Sequence, residues 1–182
     1  MLSTYYPHIF QHLIENHPWK CYNSYTKQRK FEIVKGELNM WYRALEVARY
    51  IITKCSGMGL PVSNLKLQKM LYFLWVDYYK KTGRRLFADE ICAWKLGPVV
   101  PEVYYEYCQY AGMPINMCYV SEIDKEDESI LDELILKYVG VPASELVSRT
   151  HASGTAWDYI FDNGKGNRKP IPFDLIINKE MN

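Results

Sequence analysis

The stretch from Asn64 to Tyr105, NLKLQKMLYFLWVDYYKKTGRRLFADEICAWKLGPVVPEVYY, constrains the fold more than any other part of the chain. Leu67, Met70, Leu71, Leu74 and Tyr78 recur at helical spacing, and Phe73 and Val76 widen the apolar arc beyond one face. An arc that wide belongs to a helix covered on more than one side. Ser63 stands where an N-cap belongs, Lys80 and Lys81 fall in the last turn where cations suit the dipole, and Gly83 offers a stop. The predicted helix is about 28 Å long at roughly 1.5 Å per residue. It is the core helix.

A basic turn, a short extended piece and a proline corner come after this helix. Arg84-Arg85-Leu86-Phe87 leads to Ile91-Cys92-Ala93-Trp94-Lys95, where Ile91, Ala93 and Lys95 share one face of a predicted strand and Cys92 and Trp94 the other. Gly97-Pro98 turns the chain, and Pro101 sits at the first position of a helix carrying Val103, Tyr104, Tyr107 and Cys108 to near Gly112. Upstream, a helix from Trp41 to Lys54 places Leu45, Ala48, Ile51 and Ile52 on one stripe, closed by Gly57 and Gly59. Downstream, the acidic run SEIDKEDES reads as a solvated entry to a helix with Leu131, Leu134, Ile135 and Tyr138, stopped by Gly140. Ser144 and Thr155 are candidate caps of two short helices. NGKGNRKP reads as a loop, and Pro172 opens a last helix. The expected fold is mainly α: a compact multi-helix domain with a short β element before the Gly-Pro corner.

Residues 1–39 differ in texture and are expected to be an N-terminal extension to a domain spanning 40–182. They hold three of the four histidines and the cluster Lys27, Arg29 and Lys30. Ile9, Leu13 and Ile14 fit one short amphipathic helix stopped by Pro18. His8 and His12 lie one helical turn apart, with His17 beyond, but no Cys or carboxylate completes a ligand set, so surface histidines are the better reading.

Five cysteines at 21, 55, 92, 108 and 118 form no C-x-x-C pair, which points to reduced thiols. The first residues lack the basic-then-apolar pattern of a secretory leader, and no apolar run reaches the ~18 residues of a membrane span. A cytoplasmic location is therefore expected. The net charge of +1 gives no global reason to expect a polyanion. Sixteen tyrosines and five tryptophans fill a core with amphipathic rings, and they also leave some for a recognition surface.

Signatures of chemistry are absent. Phosphate-loop and dinucleotide fingerprints do not occur, and neither does the serine-hydrolase elbow. The acidic run lacks the alternating oxygens and turn glycine of a calcium loop. His151, between Thr150 and Thr155, reads as a structural histidine bonded to a backbone carbonyl, and Trp157 as the anchor of a short helix. No local signature pairs His151 with a cysteine nucleophile.

Leu67-Gln68-Lys69-Met70-Leu71-Tyr72, Phe87, and Ala93-Trp94-Lys95-Leu96-Gly97-Pro98-Val99-Val100-Pro101 with Val103-Tyr104 resemble the Panacea, or SocA-like, family, also called GepA-type phage-associated proteins. Leu146, Ser148, Thr150-His151, Trp157 and Ile171-Pro172 agree, so the resemblance covers about residues 41–180. Ala156 departs from the proline usual before the tryptophan. The resemblance implies an antitoxin that neutralises a protein toxin by direct binding, and in the SocA case delivery of the toxin to the ClpXP protease as an adaptor. It implies no cofactor and no catalysis, and it leaves the toxin open because the domain serves antitoxins facing unrelated toxins.

The leading expectation is thus a non-enzymatic binding protein with a protein partner. Its surface is expected to include Trp94, Tyr104 and Tyr105 near the Gly-Pro corner, with Arg84 and Arg85 at the rim. The runner-up is a phage-encoded inhibitor of a host immunity protein such as a CRISPR effector. Nucleic-acid binding comes third, since it requires Lys27-Arg29-Lys30, Arg84-Arg85 and Lys165-Arg168-Lys169 to converge on one face. An enzyme comes last.

Overall fold

In the computed structural model the described residues are 30–34 and 37–181, with side chains from Trp41 onward. The expectations for Ile9 to Pro18, for His8, His12 and His17, and for Lys27 and Arg29 lie outside them. The chain is mainly α, as expected, with seven α-helices among the described residues.

An antiparallel hairpin, β1 (Lys30–Val34) and β2 (Glu37–Trp41), precedes α1 (Ala44–Gly57). The first helix starts three residues later than its apolar stripe suggests. Trp41 belongs to the hairpin, and Arg43 is the extended N-cap whose backbone N–H donates to the Glu46 carboxylate at 2.9 Å. After β3 (Val62–Ser63) comes α2 (Asn64–Thr82), bounded as its sequence dictates. Ser63 accepts from the Lys66 N–H, and Gly83 takes the left-handed conformation at φ +69° that ends the helix.

Eleven of the nineteen residues of α2 are buried, which makes it the central rod. It packs against α1, α4 (Lys125–Val139), α5 (Ala143–Thr150) and α7 (Phe173–Glu180), so it is covered on several sides. Leu67, Met70, Leu71 and Leu74 are fully enclosed; Phe73 is half-buried and stacks on Tyr138 with ring centroids 5.3 Å apart. Each such side chain contributes about 1.5–3 kcal/mol by leaving water.

The Gly-Pro corner is more than a turn. Gly97–Val99 forms a strand, β5, pairing antiparallel with β4 (Cys92–Trp94) in the register Cys92↔Val99 and Trp94↔Gly97. Lys95 and Leu96 are the two-residue tip. The loop expected at NGKGNRKP supplies the third strand, β7 (Lys169–Pro170), numbered after β6 (Pro114–Ile115), which pairs with β3. Pro170 has no N–H to give, which suits the edge it occupies. The expected helix to near Gly112 is shorter: α3 (Pro101–Glu106) starts on Pro101, then a 3-10 turn covers Cys108–Tyr110. The break comes at Tyr107, whose N–H still reaches the Val103 carbonyl at 3.3 Å.

Two caps differ in kind. Pro142, not Ser144, precedes α5, and its carbonyl accepts from the Glu145 and Leu146 N–H groups. Thr155 does cap α6 (Ala156–Phe161), accepting from the Asp158 N–H, so alanine before Trp157 leaves the helix start intact. The last helix is tied back by Glu180. Its carboxylate accepts the Tyr72 hydroxyl at 2.7 Å and the Ala156 N–H at 3.1 Å.

The acidic entry to α4 is not wholly solvated. Asp127 is 3% exposed and accepts hydroxyls from Tyr42 at 2.7 Å and Tyr78 at 2.8 Å, plus the Arg84 guanidinium at 2.6 Å. Three donors around one carboxylate satisfy a charge that burial alone would penalise.

Candidate partner-binding face

Three polar residues on one side of α2 hold the Gly-Pro segment. Asn64 donates its amide to the Tyr104 carbonyl at 3.0 Å, and Gln68 accepts the Val100 N–H at 2.8 Å. Lys69 donates to the Pro98 carbonyl at 2.7 Å. Positions 64, 68 and 69 lie on neighbouring rows of a helix, so one rod reads the backbone of the strand and of the helix after it. Gln68 is itself oriented by a bond to Asn64 at 3.3 Å. These donors and acceptors are buried, so each lost partner costs about 1–3 kcal/mol.

Lys69 is 0% exposed. Burial strips its hydration and pushes the amine down to about 7. Gly97, at φ +100°, makes room for it: a Cβ there would stand 2.6 Å from Thr150 Oγ1 and 2.7 Å from Lys69 Nζ. His151 comes directly after Thr150, and its ring lies flat on Trp157, centroids 3.9 Å apart at 4°. The expected carbonyl bond is replaced by this stack, since His151 Nε2 is buried without a hydrogen-bond partner. Burial, then the Lys69 charge, lowers its basicity. Trp157 anchors α6 as its sequence suggests, donating its indole N–H to the Trp94 carbonyl at 2.8 Å.

On this mount three predicted site residues converge. Trp94 lies 4.8 Å from Tyr104 and 6.1 Å from Tyr105, and the two tyrosines are 5.5 Å apart, ring centre to ring centre. Trp94 and Tyr104 are half-buried, whereas Tyr105 is 57% exposed. Leu96 at the tip is 53% exposed, and the Arg168 guanidinium lies 4.9 Å from the Trp94 ring centre. The result is a pre-packed aromatic platform with an apolar edge.

Arg84 and Arg85 sit elsewhere, just beyond the C-terminal end of α2. Arg84 neutralises Asp127 and lies over the Tyr78 ring at 5.4 Å. Arg85 packs its guanidinium on Phe173 at 3.6 Å. Their contacts are with the fold itself.

Nothing among the described residues resembles an activated nucleophile. Burial pushes the Cys55 thiol up to about 12; burial and then Glu90 do the same to Cys92. Such thiols are inert near neutrality. Cys108 and Cys118 are also unoxidised thiols. Among the described residues no group of three or more His, Cys, Asp or Glu side chains is placed to hold a metal, and no helix is long and apolar enough to cross a membrane.

Sequence reasoning missed Lys69, Gln68 and Asn64 as the mount and Asp127 as a buried hub. The signal that could have found the mount is a lysine and a glutamine inside an otherwise apolar arc.

The family model described as antitoxin SocA-like, Panacea domain, matches residues 67–158, which run from the first fully buried leucine of α2 into the first half of α6. Antitoxin SocA of Caulobacter vibrioides (strain NA1000 / CB15N) is 35% identical over 138 residues, 68% of this chain and 72% of that protein. No solved structure matches. The matched span contains the α2 rod, the clamp residues Gln68 and Lys69, the hairpin and the aromatic platform, and the chain belongs to the SocA-like Panacea family of antitoxins.

Proposed function

We propose that this antitoxin neutralises a protein toxin by binding it directly, with Trp94, Tyr104 and Tyr105 at the centre of the contact. The observation that carries this is the platform itself. Three rings pack on one another at the surface, one of them 57% exposed, on a backbone fixed from the core by Asn64, Gln68 and Lys69. Rigid Tyr and Trp side chains lose little entropy on binding and are enriched among residues that dominate interface energies. Arg84 and Arg85, engaged with Asp127 and Phe173 beyond the far end of α2, lie outside this contact, so their truncation changes binding little.

The mode of action is masking, with no substrate transformed. It places the protein in the cytoplasm, where thiols stay reduced. Delivery of the bound toxin to ClpXP is a further step of the same scheme. Co-expression with the product of the adjacent gene tests both. Masking requires a stable complex and rescued growth; delivery requires the toxin level to recover when the protease is removed. A chain that forms no complex and rescues no growth ends the proposal. Capture of a host defence protein in its place supports the phage-inhibitor reading.

A further inference from the structure

Beside the Lys95–Leu96 tip lies an open pocket of about 510 Å³ lined by Lys95, His151, Trp157, Phe161 and Asn167, with Asn163 and Gly164 completing it. Its wall is a stack of three parallel rings: His151 on Trp157, and Trp157 on Phe161 with centroids 4.5 Å apart at 16°. One carboxylate near the wall, Asp158, acts on His151 and accepts the Gly154 N–H at 2.9 Å. Lys165 is paired with Asp162 and Arg149 with Glu145, whereas Lys95, Arg168 and Lys169 make no ion pair with the described residues. All three flank β4: Lys95 comes directly after it, Lys169 pairs with Ala93, and Arg168 donates its N–H to the Ala93 carbonyl and lies over Trp94.

The geometry points to an acidic protein segment as the occupant: an apolar side chain enters the ring-walled pocket while flanking carboxylates meet Lys95, Arg168 and Lys169. This rests on the masking reading and names the chemistry of the toxin surface. Unpaired cations beside a platform steer association and select complementary partners. Nucleic acid fits the same cations less well. The net charge is only +1, which gives no broad positive field to gather a polyanion.

A random dodecapeptide display library selected on the full-length chain tests this without any toxin. Enriched peptides are expected to carry an apolar residue between Asp or Glu residues. A synthetic copy should bind at least tenfold more weakly to Lys95→Glu/Arg168→Glu/Lys169→Glu, and to Asn167→Trp, which fills the pocket. Lys95→Ala alone, at the exposed tip, should already weaken binding if the triple variant fails to fold. No enrichment of acidic residues, affinity unmoved by these changes, or displacement by a twelve-nucleotide oligo-dT each overturns the inference. A toxin complex that survives the triple variant sinks the acidic segment alone, whereas absence of any complex with the wild-type chain sinks masking.

Discussion

Lys69 Nζ donates to the carbonyl oxygen of Pro98 across 2.7 Å, from a position wholly closed to solvent. That bond joins the central helix to the second strand of the hairpin. With Gln68 on the Val100 N–H and Asn64 on the Tyr104 carbonyl, it joins two segments that lie far apart in the sequence. The L-Q-K of α2 supplies the groups that the Gly-Pro-Val-Val segment needs. The aromatic platform is held by the core, not by its own loop.

Gly97 is where this arrangement has least slack. Gly97→Ala forces a Cβ to 2.6 Å from Thr150 Oγ1 and 2.7 Å from Lys69 Nζ, in a conformation that L side chains avoid. We expect a loss of about 2–4 kcal/mol in urea denaturation. A wild-type midpoint in this variant refutes the tight approach.

The buried amine makes stability depend on pH with a defined sign. Folding lowers Lys69 from 10.5 to about 7, so above pH 7 the unfolded chain holds a proton that the folded chain has released. Its penalty is fully present below pH 7 and is relieved as pH rises. Between pH 7.0 and 8.5 stability should therefore increase, by about 1.5 kcal/mol at 1.36 kcal/mol per unit. His151, also lowered, acts below 6.5, and the raised Cys55 and Cys92 oppose the trend only above 9. Lys69→Met should abolish the rise. An equal rise in both proteins assigns it to other groups.

Asp127 gathers Tyr42, Tyr78 and Arg84 in one buried contact. Asp127→Ala removes the buried acceptor of the Tyr78 hydroxyl and the Arg84 guanidinium, while Tyr42 keeps its bond to Asp124, for a cost of about 2–3 kcal/mol. Arg84→Ala should cost roughly 1 kcal/mol, because that side chain is largely solvated and the two hydroxyls still serve the carboxylate. Calorimetry of both variants checks the ranking, and equal losses contradict it.

Much of the fold is legible in the chain. The bounds of α2 follow from Ser63, Gly83 and an apolar arc too wide for a surface helix, and Thr155 and Pro101 mark their helices correctly. Trp94, Tyr104 and Tyr105 are expected together because strand and helix share the proline corner. Other features depend on partners distant in sequence. Asp127 looks solvated among Glu126 and Glu128 until Tyr42 and Tyr78 arrive from elsewhere in the chain. Lys169–Pro170 shows no strand pattern, and only β4 makes it one. Arg84 and Arg85, adjacent to a predicted surface in sequence, are drawn away by Asp127 and Phe173.

The C-terminal helix is fastened by one carboxylate. Glu180→Ala leaves the Tyr72 hydroxyl and the Ala156 N–H without that acceptor, and should cost about 1–3 kcal/mol. Hydrogen exchange should quicken in α6 and α7 while α2 stays protected. Uniformly faster exchange argues for global loosening instead.

The most direct test is the affinity of the co-expressed adjacent-gene product for the wild-type chain and for Tyr105→Ala/Leu96→Ala. Both residues are exposed, so the variant should melt within about 0.5 kcal/mol of wild type. Masking through the platform predicts a complex with the wild type that restores growth, weakened at least tenfold in the variant. Undiminished binding by the variant, or rescue of growth without any complex, contradicts it.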